Sequence, residues 1–108
     1  DEEFQGRTLM AWFTDLPRGN VRLGCAGKIM TPDDARACLE RGMDFVLLGR
    51  AAILHHDWPK RLAAEPDFRP VQTPVSEQHL RDERLSPAFV TYMRNWKGFV
   101  AEPETEDA

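Results

Sequence analysis

Residues 21–50 of the chain read VRLGCAGKIMTPDDARACLERGMDFVLLGR, with a short apolar segment at each end and a polar segment between them. The first segment, residues 21–26, contains β-branched and small residues and stops at a glycine, which predicts a short strand rather than a helix. Residues 43–48, MDFVLL, form a nearly continuous apolar run closed by Gly49. That pattern is typical of a strand buried on both faces, as in parallel sheets.

The polar segment between the two strands carries the signals of a helix. Thr31 is suited to cap it, Pro32 fits its first turn, and two aspartates follow at the positive end of the helix dipole. Gly42 is a good left-handed stop, so the predicted helix spans residues 32–41. Strand, helix and strand within about thirty residues make a βαβ unit with a right-handed crossover. The predicted fold class is therefore α/β.

Helices are expected on both sides of this unit. Residues 4–16 place apolar side chains at spacings of three and four, which predicts an amphipathic helix. Another helix should follow Arg50, with a break and a restart near residues 57–62. After a proline-rich connector, residues 76–96 return to helical spacing, and residues 101–108 are predicted to be a disordered acidic tail.

The composition is typical of one globular domain, with 108 residues, 42% hydrophobic and 30% charged. No stretch approaches the roughly 18 consecutive apolar residues of a membrane helix, and the first residues lack the features of a signal peptide. The formal charge of -4 does not favour nucleic acid or an anionic membrane as a partner. Cys25 and Cys38 are predicted to be buried thiols in a reducing compartment. Together these features predict a soluble, cytoplasmic protein.

Two parallel strands are too few to make a complete sheet. The predicted unit cannot cover both faces of its sheet or protect the edges. We therefore expect it to belong to a larger α/β domain, to form a homo-oligomer, or to join a complementary chain that supplies the missing strands.

Both predicted strands end in a glycine followed by a cation. Gly27 and Lys28 follow the first strand, and Gly49 and Arg50 follow the second. In a parallel sheet these loops share the carboxyl edge, where α/β proteins bind ligands, and glycine lets backbone N–H groups approach an anion closely. Two such loops side by side predict a phosphate cradle.

Each loop also has a plainer interpretation. Gly27 suits an ordinary tight turn between strand and helix. Arg50 could be solvated, or it could form a salt bridge to Asp33 or Asp34. Spacing alone does not decide between these interpretations and the cradle.

Residues 21–62 resemble the C-terminal end of the Old Yellow Enzyme family, the FMN-dependent NADH:flavin oxidoreductases that fold as TIM barrels. The shared features come in family order: a glycine turn, a helix that begins Thr-Pro and ends at Gly, the strand DFVLLGR, and the tripeptide DWP. The resemblance implies the seventh and eighth βα units of a TIM (β/α)8 barrel, with the family's sixth helix before them. The implied organisation is a barrel portion over residues 1–72, a helical C-terminal extension over residues 73–100, and the tail over residues 101–108.

In that family the loops after strands seven and eight hold the FMN phosphate, which agrees with the predicted cradle. Carried over by position, the phosphate-binding residues are Ala26, Gly27, Lys28, Gly49 and Arg50. Lys28 departs from the family at a variable position, where its backbone N–H is expected to matter most. The resemblance also puts Arg50 beside the flavin edge.

The activity implied by the resemblance belongs to the whole enzyme. NAD(P)H reduces FMN, and hydride then passes to an electron-poor alkene, such as an enone, or to another acceptor. The family's substrate-binding histidine and asparagine residues, its proton-donating tyrosine and its flavin-ring contacts come from earlier strands of a barrel of about 250 residues. No catalytic residue is therefore expected in this segment, which alone should be inactive. Its expected partners are the remaining N-terminal part of the barrel, on the same or a separate polypeptide, and a small-molecule substrate.

Two other functional classes stay open. The chain could be a non-catalytic α/β interaction or assembly module derived from such a barrel, which would bind no flavin. It could also belong to another phosphate-binding TIM barrel, acting on a sugar or anthranilate phosphate, which would share the cradle but not the DWP tripeptide.

The remaining polar and aromatic residues give weaker signals. Residues 55–57, His-His-Asp, are metal-ligand types, but adjacent helical side chains point about 100° apart and no further Cys/His cluster accompanies them. No metal site is therefore predicted, and His79 is expected to be solvated. Tyr92, Arg94 and Trp96 either complete the active site of a neighbouring subunit or pack within an amphipathic helix.

Overall fold

The computed structural model describes residues 3–103 as a mixed α/β chain with two small sheets and six helices. The predicted α/β class is confirmed at this level. In chain order the elements are β1 (Glu3–Phe4), β2 (Arg7–Thr8), α1 (Leu9–Thr14), β3 (Gly24–Ala26), α2 (Pro32–Glu40), β4 (Phe45–Leu47), α3 (Arg50–Leu54), α4 (Trp58–Ala64), α5 (Glu77–Asp82) and α6 (Pro87–Met93).

Strands β3 and β4 form the predicted parallel pair. Gly24 lies beside Phe45 and Ala26 beside Leu47, so the two strands end at the same edge. Helix α2 connects them, which confirms the βαβ unit. Both strands are shorter than the apolar runs from which they were predicted.

Helix α2 begins and ends where its local signals predict. The Thr31 hydroxyl accepts a hydrogen bond from the Asp34 N–H (3.2 Å), and the Asp34 carboxylate accepts one from the Thr31 N–H (2.9 Å). This reciprocal pair is a capping box, which satisfies backbone donors that the first turn leaves open. Gly42, just after the helix, has a φ of 105°, a conformation that favours glycine.

The first residues form an antiparallel hairpin, where the sequence predicted the beginning of a helix. Strands β1 and β2 are joined by a two-residue turn in which Gln5 and Gly6 both have positive φ, 54° and 76°. Helix α1 begins only after Thr8, whose hydroxyl accepts a hydrogen bond from the Ala11 N–H. The prediction of a helix over residues 4–16 is therefore wrong for the residues before Leu9.

The prediction that the second strand is buried on both faces is also wrong. Phe45 is 43% exposed and Leu47 is 56% exposed, whereas Val46 packs against the core on the α2 side. The reason is that the sheet contains only β3 and β4 within residues 3–103, so no further strand or layer covers its other face.

The C-terminal half consists of short helices separated by clear breaks. Helices α3 and α4 are interrupted after Leu54, as predicted. The stretch predicted as helical over residues 76–96 is two helices, because Arg84 has a positive φ of 74° and Ser86 starts a new helix with Pro87 in its first turn.

The last described residues return to the body of the chain. Val75 and Val100 form an isolated parallel bridge, and the Ala101 N–H donates to the Val75 carbonyl at 2.7 Å. Of the predicted disordered tail, residues 104–108 lie outside the described residues.

The core has two clusters that meet at Met30. One lies between the βαβ unit and α4, and its buried members are Ile29, Ala35, Ala51, Trp58 and Phe68. The other joins α3 to the C-terminal helices, and its buried members are Leu54, Val75, Leu80, Val90, Met93, Phe99 and Val100. Helices α5 and α6 are therefore packed onto α3 through Leu54.

The chain is elongated, with principal extents of 62 × 33 × 23 Å and a radius of gyration of 17.4 Å. A compact domain of this length would have a radius of gyration of about 13 Å. Among residues 3–103 there is no helix with the length and apolar character needed to cross a membrane.

Candidate functional site

The two glycine loops leave the same edge of the parallel sheet. Because Ala26 pairs with Leu47, Gly27 follows β3 at the point where Leu48 and Gly49 follow β4. Gly27 and Lys28 have positive φ angles of 103° and 58°, so the first loop turns sharply as it leaves the strand. This brings together the glycine loops that the sequence analysis singled out.

Both loops border open space. A Cβ atom added at Gly27 or at Gly49 would meet no other atom within 4 Å. All five predicted phosphate-binding residues are exposed: Ala26, Gly27, Lys28, Gly49 and Arg50. The outer side of both loops is therefore open to solvent.

The cations of the two loops are not engaged by the rest of the described chain. The side chains of Lys28 and Arg50 form no hydrogen bond or ion pair with any of residues 3–103. The nearby carboxylates are occupied, because Asp33 pairs with Arg36 at 2.6 Å and Asp34 holds the start of α2. The alternative of a salt bridge from Arg50 to Asp33 or Asp34 is therefore wrong.

Asp34 is held in its ionised form. Hydrogen bonds from the backbone N–H groups of Thr31 (2.9 Å) and Met30 (3.0 Å) lower the pKa of the Asp34 carboxyl below its usual value, despite an opposing contribution from burial. A carboxylate that accepts backbone N–H bonds is favoured over the protonated acid.

An apolar groove of about 800 Å³ opens beside the first loop, between α1 and α2. Gly27 and Lys28 lie at one end of it, and Leu23 and Met43 line its wall. Its lining also includes the two thiols, which are half-buried rather than buried as predicted. Burial, together with a hydrogen bond to Cys38, raises the pKa of the Cys25 thiol.

A separate polar cluster lies where α3 meets α5. The His55 imidazole is buried, and its Nε2 accepts a hydrogen bond from the Val71 N–H at 2.9 Å. His79 is half-buried against it, with ring centroids 5.7 Å apart and planes at 90°. The expectation that His79 is solvated is wrong, because its Nε2 also donates to the Leu54 carbonyl at 2.9 Å.

Glu83 completes this cluster from the end of α5. Its Oε2 accepts hydrogen bonds from both the backbone N–H (2.9 Å) and the Nδ1 (2.5 Å) of His56. Burial raises the pKa of the Glu83 carboxyl, but these bonds outweigh it and hold the pKa below its usual value. Burial lowers the pKa of His55, with a further contribution from the Arg61 charge.

Glu83 was not predicted from the sequence as a site residue. It sits four residues after His79, a spacing that puts both side chains on one face of a helix, and that signal could have linked it to a histidine site. In the structure His79 and Glu83 lie beside the His-His-Asp stretch, for which the sequence predicts no metal site.

Helix α6 leaves its aromatic residues on the outside. Phe89 contacts Tyr92 in a tilted arrangement and Tyr92 contacts Trp96 edge-on, with ring centroids 5.2 and 5.0 Å apart, and the three side chains remain 42%, 51% and 38% exposed. Arg94 is engaged within the chain, because it pairs with Glu77 at 3.1 Å. The helix packs inward through Val90 and Met93 instead.

Comparisons of the chain with protein-family models, with curated proteins and with solved structures give no match. What the chain does is therefore inferred from its own residues and their geometry.

Proposed function

We propose that this chain forms the seventh and eighth βα units of an FMN-dependent TIM-barrel oxidoreductase of the Old Yellow Enzyme kind, and that it supplies the FMN phosphate site. The observation that carries the proposal is the pair of glycine loops at one edge of β3 and β4, each followed by an exposed cation that has no partner among residues 3–103. That edge is where α/β barrels bind phosphate groups.

The exposed sheet supports a larger barrel around these units. Each of β3 and β4 has one neighbour, so in the described residues each keeps one unpaired edge. Parallel sheets are normally covered on both faces, yet Phe45 and Leu47 are about half exposed. Further strands at these edges and a packed barrel interior would bury both.

The residues present fit the phosphate end of FMN. Gly27 and Gly49 have no side chain to block the approach of their backbones, and the open space beside each one could hold a phosphate oxygen. Arg50 would contribute a bidentate, charge-assisted contact, and Lys28 a point charge.

When bound, FMN supplies the hydride chemistry that reduces an electron-poor alkene at the expense of NAD(P)H. The part played by this chain is to anchor the cofactor, since its cradle fixes one end of FMN and so limits where the rest can lie. The groups that orient the substrate would come from the remaining strands of the barrel.

The proposal is tested by comparing FMN with riboflavin, which lacks the phosphate, on the intact protein in which this chain occurs. Arg50→Gln should weaken FMN binding about tenfold to a hundredfold, because a hydrogen bond to a charged group is lost, and should weaken riboflavin binding much less. Arg81→Gln is the matched control, since Arg81 is another exposed arginine without a partner in the described chain.

Three other binding results would each favour a different interpretation of the chain. Equal losses for FMN and riboflavin would remove the phosphate role of Arg50. Tight binding of a sugar phosphate without any flavin binding would favour a different phosphate-binding barrel. A protein that binds neither ligand would favour the non-catalytic assembly module.

A further inference from the structure

The cluster at the α3–α5 contact is chemically distinct from the glycine loops. It brings His55 at the end of α3 against His79 and Glu83, which lie 24 and 28 residues further along the chain. One ligand atom from each of the three lies within 4.8 Å of the other two. Two imidazoles and a carboxylate are a donor set that transition metals use.

His55 carries a buried polar atom that the chain leaves without a partner. Its side chain is only 7% exposed, and its Nδ1 makes no hydrogen bond. That atom faces Glu83, whose Oε1 is 3.9 Å away. Buried polar atoms nearly always have a partner, so this one needs an explanation.

His79 is arranged as a metal-binding histidine would be. Because a carbonyl oxygen can only accept, the contact between Nε2 and the Leu54 carbonyl fixes the proton on Nε2. The lone pair of neutral His79 is then on Nδ1. Histidine ligands of metals commonly donate their other ring nitrogen to a backbone carbonyl in this way.

Glu83 has one oxygen occupied and one available. Oε2 takes both hydrogen bonds from His56, whereas Oε1 accepts none from residues 3–103. The nearest cation to Oε1 is the Arg61 guanidinium, at 3.8 Å. The other possible group, His56 with Asp57 and Glu83, is less suitable because Oε2 is taken and Asp57 pairs with Arg61 at 2.9 Å.

We propose that His55 Nδ1, His79 Nδ1 and Glu83 Oε1 bind one divalent transition-metal ion of the zinc class. Neutral imidazoles suit Zn²⁺ far better than Ca²⁺ or Mg²⁺, which prefer oxygen ligands. Three protein ligands leave a fourth position for water. Bond lengths of about 2.0–2.1 Å require the three side chains to close inward, which His79 can do because it is only half-buried.

Metal binding has a specific consequence for the segment between α4 and α5, which contains Val71. With Nδ1 on the metal, neutral His55 keeps its proton on Nε2, which then cannot accept the Val71 N–H. That hydrogen bond must break, and because Val71 is exposed, water can replace its partner. The Val71 amide therefore reports on ligation by His55 in particular.

The site is tested by titrating the full chain, stripped by a chelator, with Zn²⁺ in a calorimeter. One Zn²⁺ should bind per chain, and His79→Gln should weaken binding by more than about tenfold. Glu77→Gln, an exposed carboxylate on the same helix, is the matched control and should change the affinity by less than about twofold. Arg61→Gln should strengthen binding, because it removes the charge that competes for Glu83.

A second measurement covers the case in which His55 cannot be replaced without unfolding the chain. Amide exchange at Val71 should become faster when Zn²⁺ is added, whereas a surface site elsewhere would leave it unchanged. The proposal is overturned if no stoichiometric Zn²⁺ binds, if His56→Gln abolishes binding while His79→Gln does not, or if Val71 exchange does not respond.

Discussion

Two glycines of the parallel sheet serve different purposes. Gly24 lies under the Phe45 ring, where an added Cβ would come within 2.2 Å of a ring carbon. Gly49 lies two residues after β4, with open space around it. The first is small because of packing within the chain, whereas the second leaves room for something outside it.

Replacement of each glycine by alanine should separate these roles. Gly24→Ala should lower the free energy of unfolding by about 1 to 2 kcal/mol, because the Phe45 ring must move aside. Gly49→Ala should leave stability nearly unchanged and weaken FMN binding about tenfold, roughly the loss of one hydrogen bond. Urea denaturation and flavin titration of both variants check this. Equal FMN affinity in Gly49→Ala and the parent would contradict the cradle.

The two neighbouring aspartates at the start of α2 allow a matched test of pH dependence. Asp34 accepts backbone hydrogen bonds, whereas the Asp33 side chain is 76% exposed. Asp34→Asn should lower the free energy of unfolding by about 1 to 2 kcal/mol at neutral pH. Asp33→Asn should lower it by less than about 0.5 kcal/mol.

The cost of Asp34→Asn should disappear in acid. Since the pKa of Asp34 is lower in the folded chain than its ordinary value of 3.8, the unfolded chain takes up the proton first as the pH falls. The contribution of the carboxylate is thus complete above pH 3.8 and is lost as the pH falls through the folded-state pKa. Unfolding curves of the parent chain and of Asp34→Asn, recorded from pH 7 to pH 2, measure this contribution. A difference between parent and variant that stays constant over this range would refute the account.

Residue-scale prediction from sequence succeeds where partners are close in the chain. Thr31 and Asp34 lie three residues apart at the start of α2 and Gly42 lies just after its end, so their capping and stopping roles follow from local spacing. The cluster of His55 with Glu83 depends on a contact across 28 residues. Periodicity carries no information about that distance, so the sequence did not predict it.

At the scale of elements, the helical extension is held by its own buried face. Leu80 of α5 is fully buried in the cluster that contains Leu54 of α3. Leu80→Ala should therefore reduce the free energy of unfolding by about 2 to 5 kcal/mol. Leu39→Ala on α2 is the matched control, because Leu39 is 47% exposed. It should lower the free energy of unfolding by less than about 1 kcal/mol. Urea denaturation compares the two, and equal costs would mean that α5 is not docked as described.

Element boundaries were predictable only where a turn or cap signal stood out. The βαβ order and the break after Leu54 follow from glycine, proline and apolar runs. The hairpin before α1 was not predicted because Gln5-Gly6 is a less typical turn pair than Asn-Gly, and the apolar spacing runs through it. The break before α6 was also not predicted, because the apolar spacing continues across it. Ser86-Pro87 is nevertheless a helix-start signal.

At the scale of the whole molecule, the described chain leaves large apolar side chains exposed, among them Phe45 and Leu47 on the parallel sheet. Its radius of gyration of 17.4 Å and the one open face of β4 are those of a unit that further packing would stabilise. The barrel proposal accounts for this excess, because added strands would cover Phe45 and Leu47. The sequence alone predicts an incomplete sheet. The proposal that further barrel strands complete it depends on the resemblance to the Old Yellow Enzyme family.

The most direct test of the central claim is native mass spectrometry of the intact protein in which this chain occurs, recorded together with its visible absorption spectrum. The account predicts one FMN for each copy of the chain and loss of most of that FMN in the Arg50→Gln variant, with Arg81→Gln unaffected. A protein that carries no flavin, and takes up none when FMN is added in excess, would contradict the proposed phosphate site and the proposed oxidoreductase function with it.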